Sequence, residues 1–351
     1  MLTVKRGIFT CGILLFCLSR SDGQLLVSQL SCEYGKAPAG IQVSHPRFSW
    51  LLRTGRRNCR QIAYRIIVAD DSTLLQKNRG NIWDSQKVNA ATSIQVRFEG
   101  KPLASVKTYY WKVMAWDNHG NVSRWSKPAR WQMGLMSDAD WKGAQWIGYD
   151  ALPDSQVVVP AITDPDDKRW TSGNDVLPLL RREFVLSKPV SSATAFITGL
   201  GQFDFHLNGK KVGDHFLDPG WTRYDKSALY VAFDITTILK PGKNAFGVML
   251  GNGFYFIPGE RYHKLKQAFG HPKMICKIVI RYRDGTEESI LSDSNWKTTP
   301  GPVTFSSIYG GEDYDATQEK AGWDTAGYND SSWTAAIVTG GPAVLQAQPE
   351  A

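Results

Sequence analysis

The stretch "FDFHLNGKKVGD", Phe203 to Asp214, puts Phe203, Phe205 and Leu207 on one face of an extended segment and Asp204, His206 and Asn208 on the other. It then reaches Asn208-Gly209, the favoured pair for a two-residue hairpin turn. The period of two predicts a half-buried strand that ends in a hairpin. The polar face is either wet or a docking face, because neither a Ser nor a Cys stands at a spacing that would pair it with Asp204 or His206. Working outward, the alternation recurs in "LRREFVL" (Leu180 to Leu186), "ATAFITGL" (Ala193 to Leu200), "ALYVAFDIT" (Ala228 to Thr236), "NAFGVMLGNG" (Asn244 to Gly253), "MICKIVIRYRDG" (Met274 to Gly285) and "EESILSDSNWKTT" (Glu287 to Thr299). A set of this size predicts an antiparallel jelly-roll sandwich.

Upstream, residues 24–148 read as a smaller all-β unit. "RFSW" (Arg47 to Trp50), "AYRIIVAD" (Ala63 to Asp70), "IWDSQKV" (Ile82 to Val88) and "TYYWKVMAWD" (Thr108 to Asp117) are short runs of β-branched and aromatic residues, closed by "ARWQMG" (Ala129 to Gly134). Trp111, Trp116 and Trp125 are expected to be core or strap residues. Residues 149–179 read as a linker or long loop, since Ala151 to Pro178 holds four prolines and five aspartates without periodicity. The domains expected are therefore 24–148 and 180–336, with 337–351 beginning a connection to a further region.

A chain of 351 residues exceeds one ordinary core, and 42% apolar with 12% aromatic residues excludes a disordered protein. Residues 1–23 read as a signal peptide. Lys5 and Arg6 precede "GIFTCGILLFCL", too short to span a bilayer as a helix, and Ser21 and Gly23 suit cleavage before Gln24. A lipoprotein anchor on Cys17 is the alternative, disfavoured by Phe16. The expected location is periplasmic or extracellular. Losing Lys5, Arg6 and Arg20 with Asp22 lowers the formal charge of +8 by two, which without a basic stripe argues against a nucleic-acid partner. Cys32, Cys59 and Cys276 have no metal-motif spacing; Cys32 and Cys59 either pair or remain thiols.

The segment Ile197 to Tyr255 resembles the N-terminal jelly roll of bacterial α-L-rhamnosidases, on "LNGKKVGD" (Leu207 to Asp214), "LDPGWTRYDK" (Leu217 to Lys226), "DITTILKPGKN" (Asp234 to Asn244) and "LGNGFY" (Leu250 to Tyr255). "YGGEDYDATQEKAGWD" (Tyr309 to Asp324) and "YNDSSWTAA" (Tyr328 to Ala336) continue the likeness in order. "YYWKVMAWDNHGNVSRWS" resembles the last strands of fibronectin type III-like domains, which such enzymes carry upstream. The resemblance implies an exported inverting glycoside hydrolase that removes terminal rhamnose from plant polysaccharides and glycosides, with its catalytic carboxylates in an (α/α) barrel downstream. The chain stops at Ala351 without such a barrel, and Thr317 stands where the family's Arg follows "YDA". The expected role is therefore non-catalytic, binding or positioning rhamnosides; a stand-alone surface carbohydrate-binding or adhesion protein is the alternative.

Inverting hydrolysis needs an acid and a base about 6.5 to 9.5 Å apart. Glu312, Asp313, Asp315, Asp214 and Asp218 are the acids in question, and none has an apolar setting in sequence that would raise its pKa. No catalytic residue is assigned. For sugar binding, aromatic faces stack on pyranoses and amides bridge their hydroxyls, so the Gly- and Pro-rich loops nominate Trp221, Tyr224, Asn252, Phe254 and Tyr255. The competing reading makes Trp221 and Phe254 caps of the sandwich. Related jelly rolls of the family bind rhamnose with calcium, which the resemblance would place on Asn252, Asp218 and Glu260 as oxygen ligands.

Overall fold

The computed structural model describes residues 25–160, 176–259, 261, 262 and 264–349. The signal-peptide reading and the middle of the 149–179 linker lie outside these. Both domains are all-β, as the alternation predicts.

In the first domain, Leu26–Cys32, Arg47–Arg53 and Val96–Arg97 form a three-stranded sheet. It packs on a four-stranded antiparallel sheet of Trp83–Asp84, Gln61–Ala69, Thr108–Asp117 and Ala129–Gln132. Between them lie Phe48, Trp50, Phe98, Trp111 and Trp131, with the Phe48 and Trp111 rings stacked at 4.3 Å. Trp116 and Trp125 are half-buried, with Lys87 and Lys112 over their rings. Cys32, Cys59 and Cys276 are thiols, not disulfides, and the Cys59 thiol lies 3.3 Å from Asp117 Oδ2.

The second domain is a sandwich of a seven- and a six-stranded sheet. Strand Gln202–Leu207 turns back into Lys210–Lys211 through Asn208 (φ 54°) and Gly209 (φ 81°), the pair of left-handed residues a type I′ turn needs. Phe203, Phe205 and Leu207 point into the core. The seven-stranded sheet differs, since its central strands are apolar on both faces. Along Val190–Leu200, Ala193, Ala195 and Ile197 enter the core between the sheets, whereas Phe196 and Leu200 face outward into a second cluster. Lys273–Tyr282 divides likewise, with Met274, Cys276, Ile278 and Ile280 inward and Ile275 and Val279 outward.

Covering that outer face draws in chain from either side of residues 180–336. Trp141 and Trp146, in the expected junction, pack on it, and Trp146–Gly148 joins the sheet beside Lys273–Tyr282. Ile337–Thr339 pairs with Trp146–Gly148, and Val344–Ala347 adds in parallel to Ser227–Asp234, so the expected closing connection is sheet. Leu152 and Val158, from the near end of the expected linker, pack on Phe256 and Ala268.

The first domain closes the rest of the face with Val106 and Leu135. The Tyr230 hydroxyl accepts a hydrogen bond from Leu135 N at 2.9 Å. Two glycines permit this approach: a Cβ on Gly134 would stand 2.4 Å from the Tyr230 hydroxyl, and one on Gly40 (φ +81°) 2.8 Å from the Ala232 Cβ. Gly134→Ala is therefore expected to cost about 1–3 kcal/mol by forcing the domains apart, seen as a lower melting temperature in calorimetry. A variant that melts with the wild type would show that the junction yields freely.

Candidate functional site

Two loops at one end of the second sandwich bring the predicted residues together. The first, between Lys210–Lys211 and Ser227–Asp234, is held by Gln348, whose side-chain oxygen accepts from Gly220 N at 2.8 Å and whose amide donates to Asp218 Oδ1 at 2.9 Å. His215 Nδ1 lies 2.8 Å from Asp218 Oδ2. The second loop follows Gly242–Gly251 and turns on Asn252, whose carbonyl accepts from Tyr255 N and Phe256 N.

Trp221 and Phe254 meet face to face, with centroids 4.1 Å apart and planes 6° from parallel. Phe254 in turn has the edge of Tyr309 against it. One indole face thus rests on Phe254, and Trp221 is still 55% exposed. That is a supported aromatic platform open to solvent. Tyr224 and Tyr255 do not join it, because both are buried beneath, ring edge to face, and pack with Phe269. Burial pushes the Tyr224 phenol up to about 12. They are foundation rather than contact surface.

Asn252 is buried too: its amide donates to Ser306 O at 2.8 Å, and its Oδ1 is enclosed without a partner. Asp218, also buried, has each carboxylate oxygen in one of the contacts just given. Asp218 thus has no oxygen without a partner, whereas Asn252 Oδ1 has none to bond to, and the described residues hold no group of three His, Cys, Asp or Glu side chains suited to a metal. Glu260 lies outside the described residues.

The other polar surface is the outer face of the six-stranded sheet, which the hairpin strand opens. Shallow grooves of about 270 and 320 Å³ meet there at Met249. Arg181, 1% exposed, sits under the segment from Trp323 to Asp330, donating to Trp323 O at 2.9 Å, to Thr325 O at 3.0 Å and to the Asp330 carboxylate. Beside it, His206 Nδ1 lies 2.7 Å from Asp324 Oδ2 and Nε2 3.7 Å from Asp204 Oδ2, while Lys211 Nζ reaches Asp204 Oδ1 at 2.6 Å. The face of Asp204 and His206 is thus covered in part by the chain's own loop.

Of the acids considered for hydrolysis, Asp313 and Asp315 have partners of their own. Asp313 pairs with Arg261, and Asp315 caps a short 3-10 turn by accepting from Thr317 N at 2.9 Å. Tyr314 is 54% exposed, its hydroxyl on Glu319, because the strand Gly311–Tyr314 pairs only with Val303–Ser307 at the rim. Sequence reading missed Gln348, Tyr309 and Asp324, whose partners at the site are 55 or more residues distant and leave no local signal.

Burial opposes a charge on His206, but hydrogen bonding and attraction from Asp204 and Asp324 outweigh it and push the pKa up to about 9. The folded value lies above the unfolded one near 6.5, so this contribution is complete below pH 6.5 and is lost as pH rises toward 9. His206→Gln is expected to flatten the fall of melting temperature between pH 6.5 and 9, a loss of about 1–3 kcal/mol in the wild type. Equal slopes in the two proteins would remove the clamp.

Residues 188–351 match the family described as the alpha-L-rhamnosidase N-terminal domain, and residues 27–137 that of the Rha78A-like N-terminal immunoglobulin domain. An α-L-rhamnosidase of Formosa agariphila is 36% identical in an alignment of 338 positions that covers 91% of this chain and 35% of the relative. The solved structure of α-L-rhamnosidase from Dictyoglumus thermophilum superposes with a TM-score of 0.79 at 35% identity, over 92% of this chain and 35% of that one. The Streptomyces avermitilis α-L-rhamnosidase complexed with L-rhamnose shares the fold, with a TM-score of 0.80 at 24% identity over 92% and 46% of the two chains. The chain spans between 31% and 44% of the length of the curated relatives it matches.

Proposed function

The chain belongs to the α-L-rhamnosidase family, whose N-terminal domains it carries, and from that membership we propose that it binds and positions rhamnose-containing glycans for an exported rhamnosidase whose catalytic groups stand outside these two domains. The observation that supports binding is the Trp221 platform, one face backed by Phe254 and the indole 55% exposed. A pyranose presents one C–H-rich face suited to such a ring, and a rigid loop spares the entropy of ordering it on binding. Export rests on residues 1–23. A second reading, docking of this end onto another domain, draws on Phe216 and Leu217, which are 81% and 74% exposed in the same loop.

A monosaccharide buries little surface, so calorimetry with L-rhamnose is expected to give a dissociation constant on the order of 0.1 to 1 mM. Trp221→Ala is expected to abolish the heat and leave the melting temperature unchanged, since the ring lies outside the core. Chelation is expected to change nothing, because both Asp218 oxygens already have partners. No heat from the wild type at millimolar rhamnose would leave the docking reading.

The same protein is expected to release no aryl group from an aryl α-L-rhamnoside. Asp313 and Asp315 are tied by Arg261 and Thr317, and Asp204, which lines one groove with Glu312, is held by Lys211 and His206. Turnover that survives repurification and vanishes in Glu312→Gln would overturn this.

A further inference from the structure

A cleft of about 680 Å³ lies between the two sandwiches, away from the Trp221 loops. Its volume falls within the range of about 300 to 1,000 Å³ typical of small-molecule sites, and domain interfaces are a preferred place for them. Lys107 and Arg130 line it from the first domain, Arg281 from the second. At its floor Gln132 ties the domains, donating to Val106 O at 3.1 Å and Thr194 Oγ1 at 2.7 Å. Arg281 braces the wall through Glu287 at 2.9 Å and Val106 O at 3.0 Å.

The two acids of the lining are already engaged. Asp70 accepts from Lys107 Nζ and Asn81 Nδ2, each at 2.6 Å. Asp234 accepts from Arg130 Nη2 at 3.1 Å and from Thr236 Oγ1 at 2.6 Å. Lys107 has three N–H groups and Arg130 five, so these pairings leave donors on both. Each of the three cations thus has an acidic partner, Arg281 in Glu287, and what the cleft offers a ligand is the N–H groups left over on Lys107 and Arg130. Around them Ser191, Ser192 and Thr237 place hydroxyls, which both donate and accept, on the cleft.

We propose that this cleft binds an acidic saccharide unit, its carboxylate on Arg130 and Lys107 and its ring hydroxyls on the Ser191–Ser192 and Thr237 edge. A charged donor pair facing a carboxylate forms the stronger class of hydrogen bond, and the hydroxyl edge gives the sugar its orientation. The inference takes from the family reading only that the ligand is a glycan, and it shares no residue with the Trp221 platform.

The test titrates the intact protein with digalacturonate, its methyl ester, sodium acetate and, separately, L-rhamnose. Digalacturonate is expected to bind in the millimolar range, at least about tenfold more tightly than the ester or acetate, because the charge and the sugar act together. Arg130→Gln and Lys107→Gln are each expected to weaken it about five- to tenfold, and Trp221→Ala to leave it unchanged while removing rhamnose binding. Lys107→Gln keeps the Arg130–Asp234 pair and serves if Arg130→Gln melts early. The proposal is overturned if the ester or acetate binds as tightly as digalacturonate, if folded Arg130→Gln and Lys107→Gln bind like wild type, if Trp221→Ala loses both ligands, or if digalacturonate gives no heat. Loss of rhamnose binding alone in the wild type would sink the platform and leave the cleft standing.

Discussion

A sheet that is apolar on both faces must be covered on both, and the architecture follows from that constraint. Phe196, Tyr230, Ile275 and Val279 project from the seven-stranded sheet on the side away from the sandwich core. At roughly 25 cal/mol per Å² of apolar area, leaving four such side chains in water costs several kcal/mol, comparable with the net stability of a domain. The six-stranded sheet covers only the inner side. The outer side is closed by Trp141 and Trp146, by Val106 and Leu135 of the first domain, and by Tyr224 and Tyr255 from the loops.

That shared cover ties features that look separate. Because Tyr230 is capped by the backbone of Leu135, the first domain is packed against the second rather than hung from it. A packed junction keeps the rim between them open at a fixed width, which a flexible tether would not. At the other end, the buried Tyr224 and Tyr255 seat the two loops so that Trp221 and Phe254 stack above them. The exposed ring is held by rings that are not exposed.

The sequence made the strands legible wherever one physical signal sufficed. Period two found Gln202–Leu207, and Asn208-Gly209 fixed its turn, because both are local. The resemblance named the family from loops whose residues are specific. What escaped was set by distance along the chain: Arg181 meets Asp330 and His206 meets Asp324 only after folding, 149 and 118 residues apart. Ile337–Thr339 and Val344–Ala347 are too short to announce themselves, and become strands because an edge is there to receive them. Loop aromatics gave the opposite error. Tyr224 and Tyr255 share the composition of Trp221 and Phe254, and only packing separates the two that are buried from the one that is open.

One strand sets the spacing of the two candidate glycan surfaces. Ser227–Asp234 begins where Thr222 Oγ1 donates to Ser227 O at 2.6 Å, one residue beyond Trp221, and ends at Asp234 in the interdomain cleft. Eight residues at a rise of about 3.3 Å separate its ends by about 23 Å. A monosaccharide cannot reach from one to the other, so simple sugars report on each surface alone. An oligosaccharide long enough to span the strand would meet the second surface at a raised effective concentration once bound to the first. Since the strand is paired on both sides in a sheet packed on both faces, that distance is fixed by the fold, and two weak surfaces on it select for chain length as well as for composition.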